Sequence, residues 1–142
     1  MRVVEAVSAQ FVPVKAHIKE QRETFQRFNA QWTPTQLVLD PDGTERHRIE
    51  GFLPVDDFLA QLEMGLGKLH FQHESYEEAE KRLRGACHRF PTSGAAPEAC
   101  YWAGVSAYKR TNDPKHLGDT AKTLKERYPN SEWARKASVW LP

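Results

Sequence analysis

Apolar residues follow two different spacings along the chain, and the change falls near residue 66. Before it, short β-rich runs at 11–18 (FVPVKAHI) and 35–40 (TQLVLD) alternate with a short amphipathic helix pattern at 22–30 (RETFQRFNA). From Gly67 onward the apolar spacing is helical throughout. The pattern therefore predicts a chain that is α/β in its first half and all-α in its second.

The elements between residues 35 and 66 predict a hairpin followed by a helix. Residues 35–40 are apolar enough to be buried on both faces. The DPDG sequence at 40–43 predicts a tight turn, and residues 44–51 predict an outer strand with Ile49 inward. The next segment places five apolar residues on one helical face: Val55, Phe58, Leu59, Leu62 and Leu66.

This order, with Thr-Pro-Thr at 33–35 and Gly51 before the last helix, resembles the C-terminal two-thirds of the thioredoxin fold. The resemblance covers residues 1–66, the first predicted domain, and implies an incomplete thioredoxin-like sheet. It also implies a cis Thr33–Pro34 bond in a loop whose backbone pairs with an extended peptide. We accordingly expect a peptide-binding site at four residues: Trp32, Thr33, Pro34 and Thr35.

The redox pair of such proteins has no counterpart in this sequence. The first cysteine is Cys87, and the helix that should carry a Cys-x-x-Cys is present only as an apparent tail at residues 3–10. A thiol–disulfide exchanger needs an attacking thiolate with a resolving thiol beside it. We therefore assign no catalytic residue. The alternative is a thioredoxin-family oxidoreductase whose Cys-x-x-Cys lies upstream of Met1, which in-frame translation of the upstream DNA would show.

The second half contains an internal repeat. Residues 89–99 (RFPTSGAAPEA) match residues 127–137 (RYPNSEWARKA) at an offset of 38. A fixed-period repeat of helix pairs is typical of a helical solenoid. The matched small and aromatic positions resemble tetratricopeptide repeats over residues 67–142, with a capping helix at 131–141. Residues 57–66 belong to both resemblances, which predicts one long helix shared by the two parts.

Composition excludes several classes of partner. The formal net charge is only +1, which gives no reason to expect binding to nucleic acid or to a membrane. No apolar run approaches the length that spans a bilayer, and the first ten residues make a poor signal peptide. The expected compartment is the cytoplasm, provided that Met1 is the true start.

Other chemically distinctive residues have ordinary explanations in the sequence. Cys87 and Cys100 fit neither a redox motif nor a zinc motif and are expected to be small buried side chains. His70 and His73 share a helical face but lack an evident third ligand, so we assign neither a metal nor a cofactor. Trp133 and Trp140 fit a core or a partner-facing surface equally well.

Three classes of function fit these features. The first is a non-catalytic protein-binding or scaffolding protein with a protein or peptide partner, the second is the oxidoreductase above, and the third is a structural subunit. The incomplete sheet also predicts self-association, unless its two strands pair directly or an upstream segment fills the gap. The contact would lie near five residues: Phe11, Val12, Val14, Leu37 and Leu39.

Overall fold

The structure is a computed structural model that describes residues 2–142, in which a small sheet and an array of helices share one long helix. Its elements are α1 (Arg2–Gln10), α2 (Arg22–Arg27), β1 (Thr35–Leu39), β2 (Glu45–Glu50), α3 (Val55–Gln72), α4 (Tyr76–Arg89), α5 (Ala96–Thr111), α6 (Lys115–Arg127) and α7 (Glu132–Ala137), followed by a 3₁₀ turn at Ser138–Trp140. Among these residues no helix is long and apolar enough to cross a bilayer.

The sheet contains two antiparallel strands joined by the predicted tight turn. Thr35 pairs with Glu50, and a register shift follows Val38. Val38 and Ile49 are buried where α3 packs against the sheet, as predicted for Ile49. The prediction that 35–40 is buried on both faces is wrong, because Leu39 is 37 % exposed. Only one face of the strand is covered by a long helix.

The predicted strand at residues 11–18 does not form. This segment has no regular secondary structure apart from a turn that begins at His17. Val12 and Val14 are 92 % and 89 % exposed. A β-rich run becomes a strand only when a neighbour pairs with its backbone groups, and no strand lies beside it in residues 2–142. Direct pairing of this segment with β1, one of the three outcomes considered for the gap, therefore does not occur.

Helix α3 is the long helix that the sequence predicts across 57–66, and the boundary expected between 66 and 67 falls inside it. Two glycines let α3 lie close to two different layers, the sheet on one side and α4 on the other. A Cβ added at Gly65 would lie 2.9 Å from Cγ2 of Val38 in the sheet, and one added at Gly67 would lie 2.5 Å from Cγ of Leu83 in α4. Both distances are too short for a real side chain. The two layers therefore reach α3 only because these positions are glycine.

Each later helix packs against the one before it, around a core of small side chains. The close approach of Gly67 to Leu83 recurs between Gly104 and Thr120, where an added Cβ would lie 2.7 Å from the threonine Cβ. In each case the two residues are 16 positions apart. Most of the alanine and leucine positions that match between the two repeats are buried, and only Leu117 and Ala134 are half-buried. The buried ones are Ala79, Leu83, Ala86, Ala96, Ala99, Ala121, Leu124 and Ala137.

The two cysteines are buried, as predicted, but they are not free. Cys87 on α4 and Cys100 on α5 form a disulfide with their Cα atoms 5.0 Å apart. The pairing arises because α4 and α5 lie against each other and bring one position on each helix face to face. The expectation of two unpaired small hydrophobes is therefore corrected.

Replacing Gly67 with alanine is expected to lower the free energy of unfolding by about 1–3 kcal/mol, because the new methyl group overpacks Leu83. Gly85→Ala is the matched control, since its Cβ meets only the flexible end of Arg89, at 3.2 Å. That variant should gain roughly 0.5–1 kcal/mol from the better helix former. Urea denaturation followed by circular dichroism measures both. A Gly67→Ala protein as stable as Gly85→Ala would contradict the close approach.

Candidate functional site

Of the four predicted peptide-binding residues, Trp32, Thr33 and Pro34 form an exposed loop directly before β1, and Thr35 is the first residue of the strand. Trp32 is 67 % exposed, and Thr33 and Pro34 are exposed with a cis peptide bond between them, as predicted. Thr35 is half-buried, and its hydroxyl donates a hydrogen bond to the Trp32 carbonyl at 2.6 Å. The backbone N–H of Gly51 donates to the Pro34 carbonyl at 2.7 Å. The loop is thus attached to both its own strand and the end of β2.

Phe52 belongs to the same region, although the sequence analysis did not select it. It follows Gly51, whose φ of +89° suits glycine, and it is 82 % exposed. The hydrogen bond between Gly51 and Pro34 places Phe52 at the same end of the sheet as Trp32. The available signal was an aromatic residue between a predicted strand and a predicted helix. We call Trp32, Thr33, Pro34, Thr35 and Phe52 the aromatic end.

Strand β1 has one paired edge and one open edge. The Pro34–Gly51 hydrogen bond and the strand register direct the backbone groups of Gln36 and Val38 toward β2. The alternating residues Thr35, Leu37 and Leu39 therefore direct their N–H and C=O groups the opposite way. Within residues 2–142 no strand pairs with that side. We call it the open edge, and it has the geometry to accept another extended segment.

Arg48 on β2 fixes the segment that leads into the loop. Its guanidinium donates hydrogen bonds to the carbonyls of Phe28 and Asn29 and forms ion pairs with Glu45 and Glu50. Hydrogen bonding to Glu45 raises the pKa of Arg48 above its ordinary value. A permanently charged side chain thus holds the chain after α2 against the sheet.

Asp40, at the end of β1, is a buried carboxylate with two hydrogen-bonding side chains beside it. It accepts hydrogen bonds from Nε2 of His73, at 2.8 Å, and from Nε of Arg46. These bonds, the one from His73 first, lower the pKa of Asp40 despite the opposing effect of burial. Because both partners are committed to the carboxylate, the cluster ties β1 to the C-terminal end of α3. His73 is thereby in a structural ion pair with Asp40, and no metal-binding group of three His, Cys, Asp or Glu residues occurs in 2–142.

His47 is the other titratable group between the sheet and α3. It hydrogen-bonds Oε1 of Gln61 at 2.7 Å, and burial lowers its pKa. The neutral imidazole therefore packs beside Gly65. A Cβ added at Gly65 would lie 3.2 Å from the Cβ of His47. It does not face the aromatic end as a free acid or base.

Other residues that the sequence left open have structural roles. Tyr101 stacks on Trp140 with ring centroids 4.9 Å apart and contacts Trp133 at 5.1 Å, so both tryptophans pack against the core. Asp57 accepts a hydrogen bond from the backbone N–H of Gly94 at 3.0 Å. Neither group contributes to the aromatic end.

Comparison with known proteins identifies the first half of the chain. Residues 2–65 match the family model of a thioredoxin-like domain. No curated protein and no solved structure matches the chain. Residues 2–65 are therefore a thioredoxin-like domain, incomplete in its sheet, and the match ends inside α3.

The Asp40 ion pairs predict an acid-dependent loss of stability. The folded-state pKa of Asp40 lies below its ordinary value of 3.8, so its contribution is present above that pH. The contribution is lost as the pH falls through the lower, folded-state value. Urea titrations between about pH 6 and about pH 2.5 should show the stability difference between wild type and Asp40→Asn shrinking below pH 3.8.

Glu126→Gln is the matched control for this experiment. Glu126 lies on the exposed surface of α6 and forms no ion pair within residues 2–142. Its stability difference from wild type should be small at every pH. A difference for Asp40→Asn that stays constant down to the lowest pH would show that the carboxylate is not stabilised by His73 and Arg46.

Proposed function

We propose that the chain is a non-catalytic protein-binding protein whose thioredoxin-like domain binds an extended peptide along the open edge of β1. The observation that carries this proposal is the row of outward backbone groups at Thr35, Leu37 and Leu39, which starts at the exposed loop of Trp32. Addition of a strand to such an edge gives affinity through main-chain hydrogen bonds. Trp32 and Thr35 belong both to these residues and to the peptide-binding site expected from the sequence.

The aromatic end would supply side-chain contacts to the same peptide. Trp32 and Phe52 are large apolar side chains that leave most of their surface in water. Aromatic anchors dominate many interfaces because they bury a large area with few rotatable bonds. A peptide that pairs with β1 and continues past Thr35 reaches Trp32 first. Main-chain pairing and aromatic contact would therefore act on adjacent parts of one ligand.

For helices α3–α7 we propose a tetratricopeptide-like scaffold that carries the binding domain. The support is the sequence repeat together with the recurring glycine contacts of Gly67 with Leu83 and of Gly104 with Thr120. The shared helix α3 makes the scaffold continuous with the sheet. A partner bound at β1 would then be held at a fixed position relative to the helical array.

Catalysis of thiol–disulfide exchange by the thioredoxin-like domain has no support in its residues. No cysteine occurs in residues 2–65, and the two cysteines of the chain lie on α4 and α5 in a buried disulfide. A cysteine pair that acts beside the loop would have to come from outside these residues. Binding is therefore the function that the loop supports best.

The sequence and the structure favour different cellular compartments for this protein. The poor signal-peptide pattern led us to propose the cytoplasm. The Cys87–Cys100 disulfide is more typical of an oxidising compartment. Fractionation of the source cells, with the redox state of the cysteines trapped by acid and alkylation, tests the proposal.

Substitutions at the open edge should abolish peptide binding without unfolding the domain. Leu37→Pro removes an N–H that points away from β2, so the bonds within the sheet remain. Trp32→Ala and Phe52→Ala remove the aromatic anchors. Each variant is expected to weaken binding of peptides selected from a random-sequence library by roughly tenfold or more, as measured by fluorescence anisotropy.

Val139→Ala is the matched control for the aromatic substitutions. Val139 is also a largely exposed apolar side chain, but it lies in the terminal 3₁₀ turn. Its affinity should equal that of the wild type. If Leu37→Pro and Trp32→Ala bound the selected peptides as tightly as Val139→Ala, the open edge would not be the binding site.

A second copy of the chain is the other occupant that we propose for the open edge. Unpaired strand edges recruit strands from other molecules, and Val12 and Val14 are exposed in each copy. Light scattering over a concentration series should show a dimer or larger species that Leu37→Pro converts to a monomer. A wild-type protein that remained monomeric at high concentration, with cooperative unfolding, would rule out self-association.

A further inference from the structure

A cavity lies directly beside the disulfide, between α4, α5 and α6. Its volume is about 230 Å³. The two cysteines form part of its wall. The chemically active groups around them are Arg84, His88, His116 and Asp119. The cavity belongs to neither the aromatic end nor the open edge, so an inference from it does not depend on the proposed peptide binding.

Two arginines, Arg84 and Arg127, lie close to His88 in the wall of this cavity. Partial burial lowers the pKa of His88, and the nearby charges of Arg127 and Arg84 lower it further. Arg84 shares the carboxylate of Glu80 with Arg110, which leaves part of its guanidinium free for other contacts. Asp119 is the carboxylate among the lining residues. Near His88 the fixed charges are therefore two arginines and the carboxylate of Asp119, while the lowered pKa favours the neutral imidazole of His88.

Burial limits access to the sulfur atoms, and the cavity lies beside both cysteines. Cys87 and Cys100 are 2 % and 6 % exposed, which excludes the rigid surface of another folded protein. A cavity of about 230 Å³ has room for a molecule of several heavy atoms. Thiol–disulfide exchange requires the attacking thiolate to reach one sulfur, so only a small thiol fits these dimensions.

We propose that Cys87–Cys100 is a redox-responsive disulfide that small anionic thiols reduce through this cavity. The thiolate of a first thiol attacks one cysteine sulfur, the S–S bond breaks, and the other cysteine leaves as a thiolate. A second thiolate attacks the sulfur of the bound thiol in the mixed disulfide, which releases the second cysteine. Two thiols become one small disulfide, the protein gains two electrons, and the two cysteine thiolates take up protons.

The surrounding charges favour both steps. A thiolate leaving group is stabilised by neighbouring arginines, and the same cations attract an anionic thiol. Reduction removes the covalent link between α4 and α5, while their core of alanines and Leu83 remains packed. The helical array would thus exist in one form with the disulfide and one form without it. The ratio of small thiol to small disulfide would set the proportions of the two forms.

The test compares thiols of different charge on the folded 142-residue chain. Mercaptoacetate is anionic, 2-mercaptoethanol neutral and cysteamine cationic. Free cysteines are trapped with maleimide and counted by intact mass. Each rate is divided by the rate for the same chain unfolded in urea, which cancels the intrinsic reactivity of each thiol. We expect the normalised rate for mercaptoacetate to exceed that for cysteamine by about threefold or more.

Two phenylalanine variants test the route. Thr123→Phe fills the cavity and should slow reduction by mercaptoacetate by roughly tenfold. Lys122→Phe, one residue away on the exposed side of α6, should leave the rate unchanged. Equal normalised rates for all three thiols would overturn the proposal. Reduction of the wild type that occurs only at its global unfolding rate would overturn it equally, whether or not Thr123→Phe folds.

Discussion

The close contacts of α3 with two different layers are the constraint on which the rest of the structure depends. Gly65 and Gly67 are two positions apart, which corresponds to about 200° around an α-helix, so they face nearly opposite directions. One admits the sheet and the other admits α4. The consecutive residues 62–65 are buried as a result. The thioredoxin-like domain and the helical array therefore share a helix and cannot move as separate units on a linker.

A buried charge on α3 strengthens the same junction. Glu63 forms ion pairs with Arg82 and Arg89, both on α4, at 3.4 Å. Arg82 also donates a hydrogen bond to the side chain of Gln10 on α1. A buried carboxylate is costly without partners, so this group favours the one arrangement in which α1, α3 and α4 supply them. The polar network adds specificity to a contact that the glycines make sterically feasible.

The sequence predicted the features that depend on local pattern and missed those that depend on a distant partner. Helical spacing predicted the long helix across 57–66 and the helical second half, and the DPDG turn and inward Ile49 followed from short-range rules. The strand at 11–18 failed because a strand requires a neighbour. The disulfide was missed because spacing along the chain does not show that Cys87 and Cys100 face each other. Phe52 was missed because exposure is a tertiary property.

The shared helix also bears on how β1 can bind. β1 is held by α3 through Gly65 at its centre and by the Asp40–His73 pair at its end. A rigid strand presents its backbone groups in a fixed geometry, so a ligand loses its own freedom without the cost of ordering the receptor. The exposed segment at 11–18 has no such support and would have to be ordered on binding. The open edge of β1 is therefore better preorganised than the segment at 11–18 for the peptide binding proposed above.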